Sequence, residues 1–322
     1  MSALELLPAL LTSTLSAGTI LLLAALGEAY AERAGVLNLG VEGTMALGGL
    51  ASFVAALQTG NPYLGLLAGL GAGLALGLLH SLLSVSLRAN QVVSGLGVTL
   101  LGIGLSGFLG KAFVGLQAPR LPSLQAPGAG GPLGSLGPWG SVLANALMGE
   151  SLPVYLAWAL APLLWFLLVR TRWGLIVRAV GEDPAMADGL GYNVALVRYA
   201  CTCFGGAMAG LAGGYLILGY LGGWAEGSYS QPITEFRGFI ALGLVILAAW
   251  SPLRLALFSY AFGALGALSI AAQGFLPGAS PQLLLALPYL ATLAALAVVS
   301  YEPIRRRVGP PAALGKPYFR EG

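Results

Sequence analysis

Few side chains in this sequence could do chemistry, and their spacing excludes most reactions. The single histidine, His80, has no second ligand at metal spacing, so it reads as a packing or interfacial residue. Cys201 and Cys203 stand in C-x-C order inside an apolar run. That spacing matches neither a zinc framework nor a redox C-x-x-C pair, and both read as small core residues. No nucleophile–base pair suggests catalysis. No G-x-x-x-x-G-K-[S/T] occurs, because Lys111 precedes Ala and Lys316 precedes Pro. The chain therefore has no phosphate cradle of its own, and neither a metal nor another cofactor is expected in it.

Two groups of polar residues remain. The first is Arg170–Arg198, which holds four arginines and the acids Glu182, Asp183 and Asp188 in a chain that is only 8% charged. The second group is Asn38, Glu42, Gln91 and Ser94, set among apolar residues of the N-terminal half. Glu42 is the one acid in an otherwise uncharged run from Ala34 to Leu87, and a charge at such a place needs a partner or water. Polar groups at helix breaks serve equally to line a solute path or to satisfy backbone, and both readings stay open for these four.

The elements that position these groups are membrane helices. The 322 residues are 57% hydrophobic, with mean hydropathy +0.85, against roughly 25% charged residues in a soluble globular chain. Residues 89–110, 151–169, 199–225 and 255–301 contain no charge, and a spanning helix needs about 20 apolar residues. The chain reads as an all-α, polytopic membrane protein with about nine transmembrane helices: 4–24, 36–57, 63–87, 90–112, 152–169, 196–222, 236–250, 253–273 and 282–300. Between the fourth and fifth lies a Pro/Gly-rich loop at about 116–150, with a short interfacial helix around Val142–Met148. The first basic residue is Arg33, so the N-terminal run reads as a retained helix and not as a cleaved signal. Glycines recur every fourth residue at Gly65, Gly69, Gly73 and Gly77 and at Gly206, Gly210 and Gly214, a spacing that lets helix backbones approach closely in lipid.

Basic residues set the orientation. With Arg305, Arg306 and Arg307 in the cytosol, nine helices place every Lys and Arg except Lys111, Arg120 and Arg237 on that side. The positive-inside rule then gives a cytosolic C-terminus, an external N-terminus and a cytosolic island at Arg170–Arg198. The net charge of +3 reflects this topology, and no nucleic-acid partner is expected. Glu42-Gly-Thr-Met-Ala-Leu-Gly48 aligns with Arg237-Gly-Phe-Ile-Ala-Leu-Gly243. Each follows the first helix of a four-helix set (helices 1–4 and 6–9), as in an inverted-topology repeat. One transmembrane domain results, with a first repeat at about 4–112, a second at about 196–300, and a tail at about 301–322.

The stretch Gly27-Glu-Ala-Tyr-Ala-Glu-Arg-Ala-Gly-Val-Leu-Asn-Leu-Gly-Val-Glu-Gly43 resembles the signature of permease subunits of ABC importers. The resemblance is to the simple-sugar and nucleoside branch of the family that also contains branched-chain amino-acid permeases. Asn90-Gln-Val-Val-Ser-Gly95, Arg178-Ala-Val-Gly-Glu-Asp-Pro184 and Trp250-Ser-Pro252 extend it. Thr44 stands where the pattern has an apolar residue or Met.

The resemblance implies a subunit of the bacterial cytoplasmic membrane that pairs with a second homologous permease. A cytosolic ATPase, which binds ATP and Mg, drives it, and an extracytoplasmic solute-binding (lipo)protein feeds it. It places the ATPase-coupling helix at about Asp183–Leu190, on Glu182, Asp183, Pro184, Ala187, Asp188 and Gly191, where Asp183 suits a cap, Pro184 a first turn and Gly191 a stop. A nucleoside or sugar path is read near Asn38, Glu42, Gln91 and Ser94 from their place at helix breaks by the repeat interface. An ion-coupled secondary carrier, a branched-chain amino-acid permease and an intramembrane enzyme are the alternatives. A shortage of buried carboxylates argues against the first of these, and the lack of a catalytic group against the last.

Overall fold

The computed structural model describes residues 3–124, 147–225, 232–275, 278, 280–300 and 309–319. These residues form helices, with a single isolated bridge between Ser123 and Ser151. In chain order they are α1 (Ala3–Arg33), α2 (Val41–Thr59), α3 (Pro62–Ser81), α4 (Gln91–Gly110) and α5 (Leu152–Arg170). Then come α6 (Arg172–Glu182), α7 (Pro184–Gly189), α8 (Val194–Tyr215), α9 (Arg237–Leu247), α10 (Pro252–Phe275), α11 (Pro281–Leu285) and α12 (Leu287–Ser300). π-helical turns extend α3 over Leu82–Ser86 and α8 over Leu216–Leu221.

Among the described residues seven helices are long and apolar enough to cross a membrane, not nine. The two expected spans that fall short each have a local cause. α9 has 11 residues, because Phe236 before it and Ala249 and Trp250 after it adopt left-handed backbone that a helix cannot continue. The last expected helix breaks at Ala286, where Pro288 supplies no N–H for the preceding turn. The interfacial helix expected around Val142–Met148 lies mostly outside the described residues, as do Arg305, Arg306 and Arg307.

Two boundaries differ for a shared reason. α1 runs on past residue 24 to Arg33, and α2 begins at Val41 and not near residue 36. Glu28 and Glu32 end an apolar run in the sequence, yet both are buried on α1 and hydrogen-bonded. Glu28 accepts the Asn38 N–H at 3.1 Å, which holds residues 34–40 as an irregular strip against the helix end.

α8 is the central helix, buried along nearly its whole length against α1, α2 and α3. The two glycine series face each other there. A Cβ built on Gly73 would stand 2.2 Å from the Gly206 carbonyl oxygen, and one on Gly210 would stand 2.2 Å from that of Gly69. A second close crossing joins α1 to α10, where a Cβ on Gly263 would meet Gly18 N and Thr14 O at 2.6 Å. Thus α1 packs on α10 as α3 packs on α8, while α4 flanks α2 and α12 flanks α9.

Candidate functional site

The strip 34–40 explains most of the polar residues picked from the N-terminal half. Asn38 Oδ1 accepts the Gly40 N–H at 2.9 Å, and Gln91 Oε1 accepts the Leu37 N–H at 2.8 Å. His80 bridges the Leu37 carbonyl, 3.1 Å from Nε2, and Ser94 Oγ, 3.0 Å from Nδ1. Thr99 Oγ1 donates to the Leu39 carbonyl at 2.7 Å. Asn38, Gln91, Ser94 and His80 are all buried; Asn38, Gln91 and His80 bond backbone that belongs to no helix, and Ser94 bonds the His80 ring. None of them lines the two cavities described below.

Glu42 does something different. Its carboxylate accepts hydrogen bonds from Thr234 Oγ1, from the Phe236 N–H at 3.0 Å and from the Gly238 N–H at 2.7 Å. The first turn of α2 thereby caps the first turn of α9, and the two aligned segments Glu42–Gly48 and Arg237–Gly243 meet at their starts. A carboxylate at a helix N-terminus satisfies donors that the helix leaves open and complements its dipole. Gly238 permits the approach, since a Cβ there would stand 2.6 Å from Glu42 Cα.

Beside this cap is a cavity of about 680 Å³, between α1, the far end of α8, α9, α10 and the α11–α12 break. Its polar wall is the Glu235–Arg237 ion pair, 2.8 Å long, with the Arg237 guanidinium 4.9 Å above the Tyr220 ring. Tyr289 Oη donates to the Glu235 carbonyl at 2.6 Å, and Phe236 and Phe262 add apolar faces. Glu235 and Phe236 both take left-handed backbone, which turns the chain sharply into α9. Sequence reasoning used Arg237 for topology and passed over Glu235, Tyr220 and Tyr289. The available signal was a Glu-Phe-Arg triplet placed directly before an apolar helix.

The island at the other end of the molecule is more ordered than a solvated loop. α6 buries Val177 and Val180, with Gly181 against the Arg33 carbonyl, where a Cβ would stand at 2.0 Å. Asp183 Oδ1 accepts the Met186 N–H at 2.9 Å, Pro184 occupies the first turn of α7, and Gly191 ends it at φ 88°. Ala187 is buried, while Met186 and Leu190 are 66% and 70% exposed.

Residues 309–319 strap this island down. Glu182 Oε2 accepts the Ala312 N–H at 3.2 Å, the Gly181 carbonyl accepts the Ala313 N–H at 2.9 Å, and Tyr318 Oη donates to Asp188 Oδ2 at 3.0 Å. Arg198, only 1% exposed, donates from Nη1 to the Lys316 carbonyl at 3.1 Å, and Arg88 lies 4.6 Å over the Phe319 ring. A second cavity of about 550 Å³ is lined by Arg88, Tyr318, Tyr192 and Asn193 among others.

Residues 10–296 match the family model described as "Branched-chain amino acid transport system / permease component". The chain belongs to this family. As a permease component it has relatives along nearly its whole length. It is 40% identical to the "Putative glucose ABC transporter permease protein TsgC13" of Haloferax volcanii, over 97% of this chain and 98% of that one. It is 32% identical to the "Guanosine ABC transporter permease protein NupQ" of Bacillus subtilis, over 99% of each. The "Nucleoside ABC transporter permease protein NupC" of Lactococcus lactis is 32% identical over 92% of this chain and 94% of its own length. No solved structure matches the chain significantly. The permease match ends at residue 296, short of the strap at 309–319, although the first two relatives cover nearly the full chain.

Proposed function

We propose that this chain is the membrane-spanning subunit of an ATP-driven importer for a nucleoside or simple sugar. The carrying observation is the near-full-length similarity to relatives named for glucose, guanosine and nucleosides. The missing P-loop supports a separate ATPase that binds ATP and Mg. A second homologous permease and an extracytoplasmic binding protein complete the assembly. The C-terminus and the island face the cytosol, as the distribution of basic residues suggests.

In this reading α7 meets the ATPase. Asp183, Pro184, Ala187 and Gly191 shape the short helix, Met186 and Leu190 make the contact, and Glu182 and Asp188 anchor α7 to the strap. Helices α1–α4 and α8–α12 are inverted copies, which the packing of α1 on α10 and of α8 on α3 supports. Asn38, Gln91 and Ser94 frame the solute path, and Glu42 joins the two copies.

Glu28, Glu32 and Glu42 are all buried, so the shortage of buried carboxylates expected from the sequence does not hold and does not by itself exclude an ion-coupled carrier. Their hydrogen bonds to Asn38, Trp250, Thr234, Phe236 and Gly238 support structural roles instead. The test is uptake of guanosine and glucose into vesicles holding the assembled complex, with and without the ATPase subunit. Uptake that needs the ATPase supports the proposal. Ion-gradient-driven uptake by this chain alone would sink it, and ATP-driven uptake of leucine in place of both would move it to the branched-chain amino acids.

A further inference from the structure

We propose that the cavity beside α9 is a solute station within this subunit, built for a neutral ring that offers one flat face and adjacent hydroxyls. This rests on the importer reading above and adds where the solute sits and what holds it.

Four observations point there. The volume of about 680 Å³ falls within the roughly 300–1,000 Å³ of small-molecule sites. The walls are mainly apolar, with aromatic rings from Tyr220, Phe236, Phe262 and Tyr289. Rings of this kind stack on the flat face of a base or the C–H face of a sugar. The charges present cancel, because Glu235 and Arg237 form an ion pair. An ionised solute would therefore meet no net opposite charge, whereas a neutral one can use both signs. The Glu235 side chain is 63% exposed, so its carboxylate can accept from neighbouring hydroxyls without leaving Arg237.

The position also matters. The cavity borders the α9 turn that Glu42 fixes, where the two aligned segments meet. It lies at the far end of α8 from the island. A motion transmitted between α2 and α9 would alter its wall. Glu42 is thus a positioning residue for this cavity, while Glu235 and Tyr220 face the solute.

Glycine supplies a direct test. Gly266 lines the cavity, and a Cβ there would meet nothing within 4 Å; Gly274, further along α10, is equally open but lies outside the cavity. Gly266→Leu should fill the space without strain, and Gly274→Leu is the matched control. Uptake of guanosine and of glucose by the assembled, ATP-energised complex is the readout, with membrane insertion checked separately. Gly266→Leu should lower uptake of the transported solute at least tenfold, with Gly274→Leu within twofold of the parent chain.

Glu235→Gln should raise KM severalfold with kcat nearly unchanged, and it keeps the test valid if Gly266→Leu inserts poorly. Which of the two solutes is carried separates base stacking from sugar stacking. Normal uptake by both variants would overturn the station and leave the importer standing. A parent complex that carries leucine and neither ring solute would overturn the ligand class and the importer's solute reading together.

Discussion

Glu42 Oε2 accepts the Gly238 N–H at 2.7 Å across 196 residues of sequence. One carboxylate in the first turn of α2 thus holds the first turn of α9, and its other oxygen serves Thr234 and the Phe236 N–H. Helix starts inside a membrane have no water to satisfy their open donors, so a distant acceptor has to be supplied. Glu42→Ala would leave the buried Gly238 N–H and the part-buried Phe236 N–H without it. At about 1–3 kcal/mol for each such group, the loss should be severe. Thermal unfolding in detergent should show Glu42→Ala far below the parent protein and Glu42→Gln, which keeps one acceptor oxygen, between them. Equal midpoints for all three would remove Glu42 from this role.

The strap yields a coupling test. Tyr318 donates to Asp188 at 3.0 Å across the end of α7. A hydrogen bond to a charged group is worth about 1.5–3 kcal/mol, so Tyr318→Phe and Asp188→Ala should each loosen residues 309–319. Combined, they should cost less than the sum of the two, since both remove the hydrogen bond they share. Hydrogen exchange of the 312–316 amides is the measurement. The ATPase stimulation by solute should fall severalfold in the same variants if α7 needs its anchor. Strictly additive exchange effects would show that the two side chains act apart.

Features whose cause is local were legible in the sequence. Asp183, Pro184 and Gly191 marked α7 because caps, proline and left-handed glycine act within a few residues. The glycine series predicted close crossings because a missing Cβ is a steric fact in any packing. Features that depend on a remote partner were not. Glu32 falls outside the helix expected at 4–24, whereas it is buried on α1 and accepts from Trp250, 218 residues away. Asn38 and Gln91 accept from the Gly40 and Leu37 N–H groups of the strip at 34–40, and no sequence pattern shows that this strip needs acceptors. The strap was invisible for the same reason, since Glu182 and Asp188 each find their tail partner 130 residues on.

The α3–α8 crossing makes a sign-dependent prediction. Gly73→Ala would place a Cβ 2.2 Å from the Gly206 carbonyl, whereas at Gly71, on the same helix, a Cβ meets nothing within 4 Å. Overpacking costs about 1–3 kcal/mol, and here the obstacle is backbone that cannot rotate away. Replacing an interior helical glycine by alanine at an open position gains about 0.5–1 kcal/mol. Gly73→Ala should therefore lower the unfolding midpoint and Gly71→Ala should raise or preserve it. Two shifts of the same sign would mean that α3 does not meet α8 along this face.

Glu150, just before α5, gives the pH dependence. It is buried, and that burial pushes its carboxyl from the ordinary 4.5 up to about 7. A carboxyl raised in the folded state binds its proton more tightly there than in the unfolded chain. Its contribution to stability is then complete below about pH 4.5 and is lost as the pH rises through about 7. The unfolding midpoint should fall between pH 5 and about pH 8, and Glu150→Gln, which stays neutral throughout, should flatten that fall. Melting curves across this range in the two proteins decide it. An identical slope in Glu150→Gln would assign the pH response to another group.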